Sequence, residues 1–293
     1  MFQKVTLPIN IQDGVYFNVK DAKKIGENLS GDYCFADPFP HIVIDNFLPQ
    51  ELIDKIAANF PIEKLDGDVV FELGYAGLHK RQVAPANCNG FIREVFGFFN
   101  SAPIVQFLES LTTISSLIPD PHYVGGGFHE TSQGGKLGIH ADFRINESLH
   151  LNRRLNMIIY LNKDWKDEWG GKLELWDKKM QGVVHSVAPV YNRCVIFNTD
   201  ADSFHGHPDP LITPENVTRK SLALYYYTAS KRIYEDTVSH DTMYKARASD
   251  DAATKKAVRR SALDNHLRDL TPPAFYRLFR KVRDKIDRMR LKA

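Results

Sequence analysis

Residues 121–229 contain six short apolar or alternating runs, KLGIHADFR, LNMIIYL, KLELW, VVHSV, RCVIFN and RKSLALYYY, separated by Gly, Asn, Asp and Pro. Short strands at such regular intervals restrict this segment to a barrel or a two-sheet jelly roll, because each run is too short for a helix and each gap carries turn residues. The Gly170-Gly171 pair before Lys172 marks a tight connection between two of the strands. Residues 1–120 have a mixed character and read as a supporting region. There PHIVIDNFLPQELIDKIAANF predicts a short strand, then a helix opened near Pro49 with Leu52, Ile56 and Phe60 on its inner face. A second helical stretch is expected over Phe91 to Leu111. Residues 230–293 read as a polar linker and a basic amphipathic helical extension. Thr271-Pro272-Pro273 starts a helix, and Phe275, Leu278, Phe279, Val282, Ile286 and Met289 form its apolar stripe. The expected fold class is thus a mostly β core with flanking α-helices.

Charge excludes some functions. The chain has 38 Lys+Arg against 36 Asp+Glu, and residues 254–293 alone hold 13 Lys+Arg with 4 Asp, so the body is acidic and the tail basic. That balance argues against nucleic-acid binding. The basic face of the tail reads as solvated, with an acidic partner or a membrane surface as the alternatives. Apolar stretches such as Met157 to Leu161 are far shorter than a bilayer requires, so no transmembrane segment is expected. The start MFQKVTLPIN lacks an apolar signal core, which predicts a cytoplasmic protein. Cys34, Cys88 and Cys194 lie too far apart for a thiolate cluster and imply no disulfide framework, so any metal must be held by His and carboxylate.

In KLGIHADFR, strict alternation places Leu137, Ile139, Ala141 and Phe143 on one face and His140, Asp142 and Arg144 on the other. His140 and Asp142 then project side by side. Two such groups plus one distant His make the facial triad of non-haem Fe(II) oxygenases, which leaves coordination positions open; structural zinc needs a closed site. The triplet His-x-Asp recurs at His207-Pro208-Asp209, so it does not define a site alone. SFHGHP offers His205 and His207 as the third ligand, and spacing does not choose between them. In RKSLALYYY, alternation puts Arg219, Ser221, Ala223 and Tyr225 on one face. Arg219 can pair bidentately with the far carboxylate of a dicarboxylate such as 2-oxoglutarate, and Ser221 can add a hydroxyl. Asn156 shares a strand face with Tyr160 and is expected to line the same pocket. Gly125 to Gly127 are not followed by the Lys-Ser/Thr of a phosphate loop and more simply allow close backbone approach. His122, His129, His150 and His185 default to structural or solvent-facing roles.

Taken together, HADF, RRLNMIIYLN, GGKLELW, NRCVIFN, FHGHP and RKSLALYYY make the run from His129 to Ser230 resemble the catalytic core of the 2-oxoglutarate/Fe(II)-dependent oxygenases, in the prolyl 4-hydroxylase-like branch. The resemblance covers about a third of the chain. It implies a double-stranded β-helix, a cupin-like jelly roll, with His140, Asp142 and His205 binding iron. It also implies that Arg219 holds the remote carboxylate of 2-oxoglutarate and that Tyr160 donates to the same carboxylate. The pocket tyrosine of many relatives falls near His129 or Glu130. The implied activity consumes 2-oxoglutarate and O2, hydroxylates an unactivated C–H bond, and draws on ascorbate to keep iron reduced. Peptidyl proline is the substrate that the branch suggests, with small molecules as the alternative. A jelly-roll module that binds a metal or a sugar without oxygenase activity is the competing reading, although such a module has no need of the Arg219-x-Ser221 pair.

Overall fold

A computed structural model describes residues 2–72, 74–229 and 242–270. The predicted extension from Thr271 onward, with its apolar stripe, lies outside the described residues. Two compact units are present, residues 1–245 and residues 246–293. The first runs β1 (Gln3–Lys4), α1 (Val19–Cys34), β2 (His41–Asp45), α2 (Gln50–Ala58), β3 (Val69–Phe71), β4 (Leu78–Val83), α3 (Gly90–Phe99), α4 (Ala102–Thr112), β5 (Ile118–Pro119) and β6 (Gly127–Ala141). It continues through β7 (Ile145–Asn146), β8 (Leu151–Tyr160), β9 (Leu173–Trp176), β10 (Val183–Val187), β11 (Cys194–Asn198), β12 (His205–His207), β13 (Arg219–Ala229) and β14 (Met243–Tyr244). The second unit contains α5 (Ala252–Leu270). No helix among the described residues is long and apolar enough to cross a membrane.

The strands follow the order β1-β2-β11-β8-β13-β6-β12-β9-β10, with β4 pairing the first half of β6 and β14 its last residues. β6 therefore belongs to both halves of a curled jelly roll. Its first residues pair with β13 and its last with β12. The N-terminal region contributes β1, β2, β3, β4 and β5 to the same sheet as well as helices.

Period-2 patterning explains the two layers. Along β8, Leu155, Met157 and Ile159 point outward into the main core with Ile196 of β11 and Leu222 and Leu224 of β13, where helices α1 to α4 cover them. The alternate residues Asn156, Ile158 and Tyr160 point inward. These central strands are buried on both faces, which is why they read as nearly continuous apolar runs. On the outer layer α1 packs against α4, and Gly26 makes the contact possible: a Cβ there would lie 2.5 Å from the Phe107 carbonyl. Asn18 caps α1 by accepting from the amides of Lys20 and Asp21, and Asn89 caps α3 by accepting from Ile92. The helical stretch expected over Phe91 to Leu111 is two helices, broken at Asn100-Ser101 where Pro103 starts the second. Gly126 and Gly127 allow the backbone approach anticipated for them, since Cβ atoms there would crowd the carbonyls of Ala223 and Val83.

Candidate metal centre and cosubstrate cavity

The pairing of β12 with β6 sets His205 opposite His140, with ring centroids 4.5 Å apart. Gly206 permits this closeness, because a Cβ there would lie 2.7 Å from the Gly138 carbonyl and 2.9 Å from that of Leu137. His140 Nδ1 donates to the Gly138 carbonyl at 2.8 Å, and His205 Nδ1 donates to the Ser203 carbonyl at 2.9 Å. A carbonyl can only accept, so each ring carries its proton on Nδ1 and turns the Nε2 lone pair toward Asp142. His140 Nε2 lies 3.6 Å from Asp142 Oδ1, and His205 Nε2 lies 3.4 Å from Asp142 Oδ2. One ligand atom from each of the three buried residues falls within 4.8 Å of the others, and the described residues contain no second group of this kind. Two imidazole nitrogens and one carboxylate suit a divalent first-row metal with open positions.

Strict alternation does not hold along this strand. The register slips between His205, which faces His140, and His207, which faces Leu137. The extra residue brings Leu137 onto the same cavity as His140, while Ile139 and Ala141 pack with Trp176 and Phe204. Phe143, beyond the strand end, also lines the cavity, and Arg144 instead accepts the Arg153 amide with its carbonyl.

Asp142 Oδ2 accepts from Asn156 Nδ2 at 2.7 Å and from Arg153 Nη2 at 3.1 Å. Arg153 also donates through Nη2 and Nε to Asn156 Oδ1, at 2.6 and 3.1 Å. Its guanidinium is clamped between the rings of Tyr225, 3.6 Å to the centroid, and Phe143, 4.5 Å. Burial would raise the Asp142 carboxyl, but Arg153, then His205 and His140, hold it well below the ordinary carboxylate range. Burial and the neighbouring His140 push His205 down to about 4. The carboxylate is therefore ionised and the imidazole neutral at neutral pH, the forms a cation requires. Asn156→Ala is expected to weaken divalent metal binding by about tenfold, as is usual when a partner that orients a ligand is lost. Competition against a chromogenic chelator measures this, and wild-type affinity in the variant would show that the amide does not tune the ligand.

At the other end of the cavity Arg219, 7% exposed, donates through Nε to the Gly171 carbonyl at 2.8 Å and through Nη2 to the Tyr160 hydroxyl at 3.2 Å. Gly171 has φ +69°, and a Cβ on it would lie 2.6 Å from Leu211 and 3.1 Å from the Arg219 side chain, so glycine both makes the turn and seats the arginine. Burial raises the Tyr160 phenol despite Arg219 beside it, so the hydroxyl keeps a proton that it can donate. Ser221 stands opposite Tyr160 on one side and His129 on the other. Arg219, Ser221, Ala223 and Tyr225 all line one cavity of about 220 Å³ with His140, Asp142 and His205. Tyr160 is fully buried beneath it, reaching it only beside Arg219.

Other residues of the cavity escape a reading by alternation. His129 lines it rather than facing solvent, donating through Nε2 to the Gly125 carbonyl at 2.9 Å. Burial and the nearby Lys80 lower its pKa well below the usual range, so the ring is neutral. Lys80 and Gln82, from β4, sit in register with Thr131 and His129. Arg153 is brought inward by a second register slip, where Tyr226 faces Leu155 and Tyr227 faces Arg153; plain alternation from Asn156 would select Arg154 instead. His207 is buried against the cavity, and among the described residues its Nδ1 has no hydrogen-bond partner. Glu130 faces away, paired with Arg81 at 2.8 Å.

A curled β-roll thus gathers two imidazoles and a carboxylate that could hold a metal ion into one cavity with a buried arginine. Residues 126–227 match the family model of the 2OG-Fe(II) oxygenase superfamily, which makes this segment a 2OG-Fe(II) oxygenase domain. Solved structures similar to it include a prolyl hydroxylase from Trichoplax adhaerens in complex with a hypoxia inducible factor peptide fragment, at 16% identity and TM-score 0.48, covering 71% of this chain and 91% of that one. A Pseudomonas putida prolyl-4-hydroxylase is similar at 17% identity and TM-score 0.47, covering 71% and 100%. HygX from Streptomyces hygroscopicus, bound to nickel, 2-oxoglutarate and hygromycin B, is similar at 11% identity and TM-score 0.46, covering 72% and 92%.

Proposed function

We propose that the protein is a dioxygenase in which His140, Asp142 and His205 hold Fe(II), Arg219 binds the far carboxylate of 2-oxoglutarate, and an unactivated C–H bond, of the kind found in a prolyl ring, is hydroxylated. The observation that carries this reading is the presence in one cavity of three metal-competent side chains and a buried arginine with hydrogen-bonding capacity left over. The bound metal and cosubstrate supply oxidative decarboxylation of 2-oxoglutarate to succinate and carbon dioxide, coupled through O2 to insertion of one oxygen atom into the C–H bond.

The chain's own part is placement. The Gly138 and Ser203 carbonyls fix the two rings in the Nδ1-protonated tautomer, so Nε2 is free to ligate. Arg153 and Asn156 hold Asp142 ionised and oriented. The Tyr160 hydroxyl accepts from Arg219 and can donate its own proton to the same carboxylate, with Ser221 adding a further hydroxyl on that wall. Ile158, Leu173 and Leu137 give the cavity an apolar wall that limits water around the reacting groups. Ascorbate serves in this reading as the reductant that sustains turnover. The prolyl 4-hydroxylase-like assignment draws on the sequence resemblance of the core motifs.

The test is anaerobic Fe(II) loading, then 2-oxoglutarate and air, with succinate measured by chromatography. Succinate formed in proportion to O2 consumed is the expected result. A protein that binds zinc in a closed four-ligand site and takes up no 2-oxoglutarate would instead be a binding module.

A further inference from the structure

The charges that line the cavity do not balance. Three cations, Lys80, Arg153 and Arg219, face one carboxylate, Asp142. A divalent metal and a doubly charged cosubstrate cancel each other, so they leave the positive excess in place. Arg153 is committed to Asp142 and Asn156 and is enclosed by two rings. Arg219 is committed to Gly171 and Tyr160, with its remaining donors at the cosubstrate end.

Lys80 differs from both. It projects from β4, in the row that runs across the sheet through Thr131 to Arg219, and its neighbour Arg81 turns to the opposite face to pair with Glu130. Among the described residues no carboxylate pairs with the Lys80 ammonium, which lies 5.3 Å from the centroid of the Phe71 ring. Burial, with Arg219 adding to it, brings the ammonium down to about 8, which reflects the cost of keeping an unpaired cation there. Lys80 reaches the cavity from β4, on the other side of β6 from Tyr160 and Ser221, on a wall that also carries Phe71 and Ala76.

Building on the oxygenase reading, we infer that the cavity takes a small organic acid as substrate, with Lys80 as the counter-ion of its carboxylate. An ammonium on a flexible stem is a point charge suited to one carboxylate, and a neutral peptide segment would leave it unpaired.

Protein loaded with Ni(II), used here as a metal that supports no turnover, and saturated with 2-oxoglutarate is titrated calorimetrically with matched probes. These are N-acetyl-L-proline against its N-methylamide, and N-acetyl-L-leucine against its N-methylamide. At least one acid is expected to bind about tenfold or more tighter than its amide. Lys80→Gln should erase that gap while leaving 2-oxoglutarate affinity within about twofold of wild type, which also shows that the variant is folded. Lys80→Arg should restore the preference. Acids and amides indistinguishable in the wild type would overturn the inference. So would a Lys80→Gln variant that loses 2-oxoglutarate as severely as Arg219→Met, since that places the ammonium on the cosubstrate. Failure of the wild-type Ni(II) protein to bind 2-oxoglutarate at all is a separate result, and it removes the oxygenase reading itself.

Discussion

His140→Ala is expected to abolish succinate formation and to lower divalent metal affinity by on the order of a thousandfold, equivalent to about 4 kcal/mol. On the proposed reading the imidazole is one of three protein donors, and among the described residues no further side chain joins the group to replace it: Asp142 already accepts from Asn156 and Arg153, and His207 is not part of the ligand group. The alanine also leaves the Gly138 carbonyl without its imidazole donor. The fold should survive, because the main apolar core lies on the other side of the sheet and includes neither histidine of the site. Metal content by mass spectrometry, circular dichroism and turnover, taken on one preparation, separate these effects. A folded variant with full metal content and wild-type turnover would remove His140 from the site.

Arg219→Met should behave differently. Truncating one partner of a buried, hydrogen-bonded charge pair costs roughly 2–5 kcal/mol, so the KM for 2-oxoglutarate is expected to rise by about a hundredfold. On the proposed reading the lost interaction is made in the ground state and throughout the reaction, so kcat should recover substantially at high cosubstrate. Arg219→Lys should fall between the two, because a lysine keeps the charge but cannot reproduce the fork that now spans Gly171 and Tyr160. Metal affinity without cosubstrate should be unchanged in both variants. An equal loss in kcat and kcat/KM that excess 2-oxoglutarate does not relieve would instead place Arg219 in the chemistry or in the scaffold.

Much of this arrangement is legible in the chain itself. The strands were visible because each central one is buried on both faces, which writes apolar runs between turn residues. The face shared by Arg219, Ser221, Ala223 and Tyr225 follows from regular alternation, and all of them line the cavity. What stayed hidden depends on register. Leu137 and Arg153 each lie where a slip between strands reverses the expected direction, and no local pattern in the sequence marks either slip. Lys80, Gln82 and Thr131 come together only because β4 pairs with β6 across some fifty intervening residues, a long-range match that periodicity within one strand cannot supply. His129 could have been found by laying its strand against β13, where it stands opposite Ser221.

β6 runs from the anion seat, where Thr131 faces Arg219, to the metal end, where His140 faces His205. On the proposed reading, one continuous strand thus joins the iron to the anchor of the far carboxylate. Nine residues of strand span roughly 30 Å, far more than a five-carbon diacid, so the reach of the side chains into the cavity would gauge the carbon chain. Preference for a four- or six-carbon homologue would then be altered by changing those side chains while the strand stays as it is.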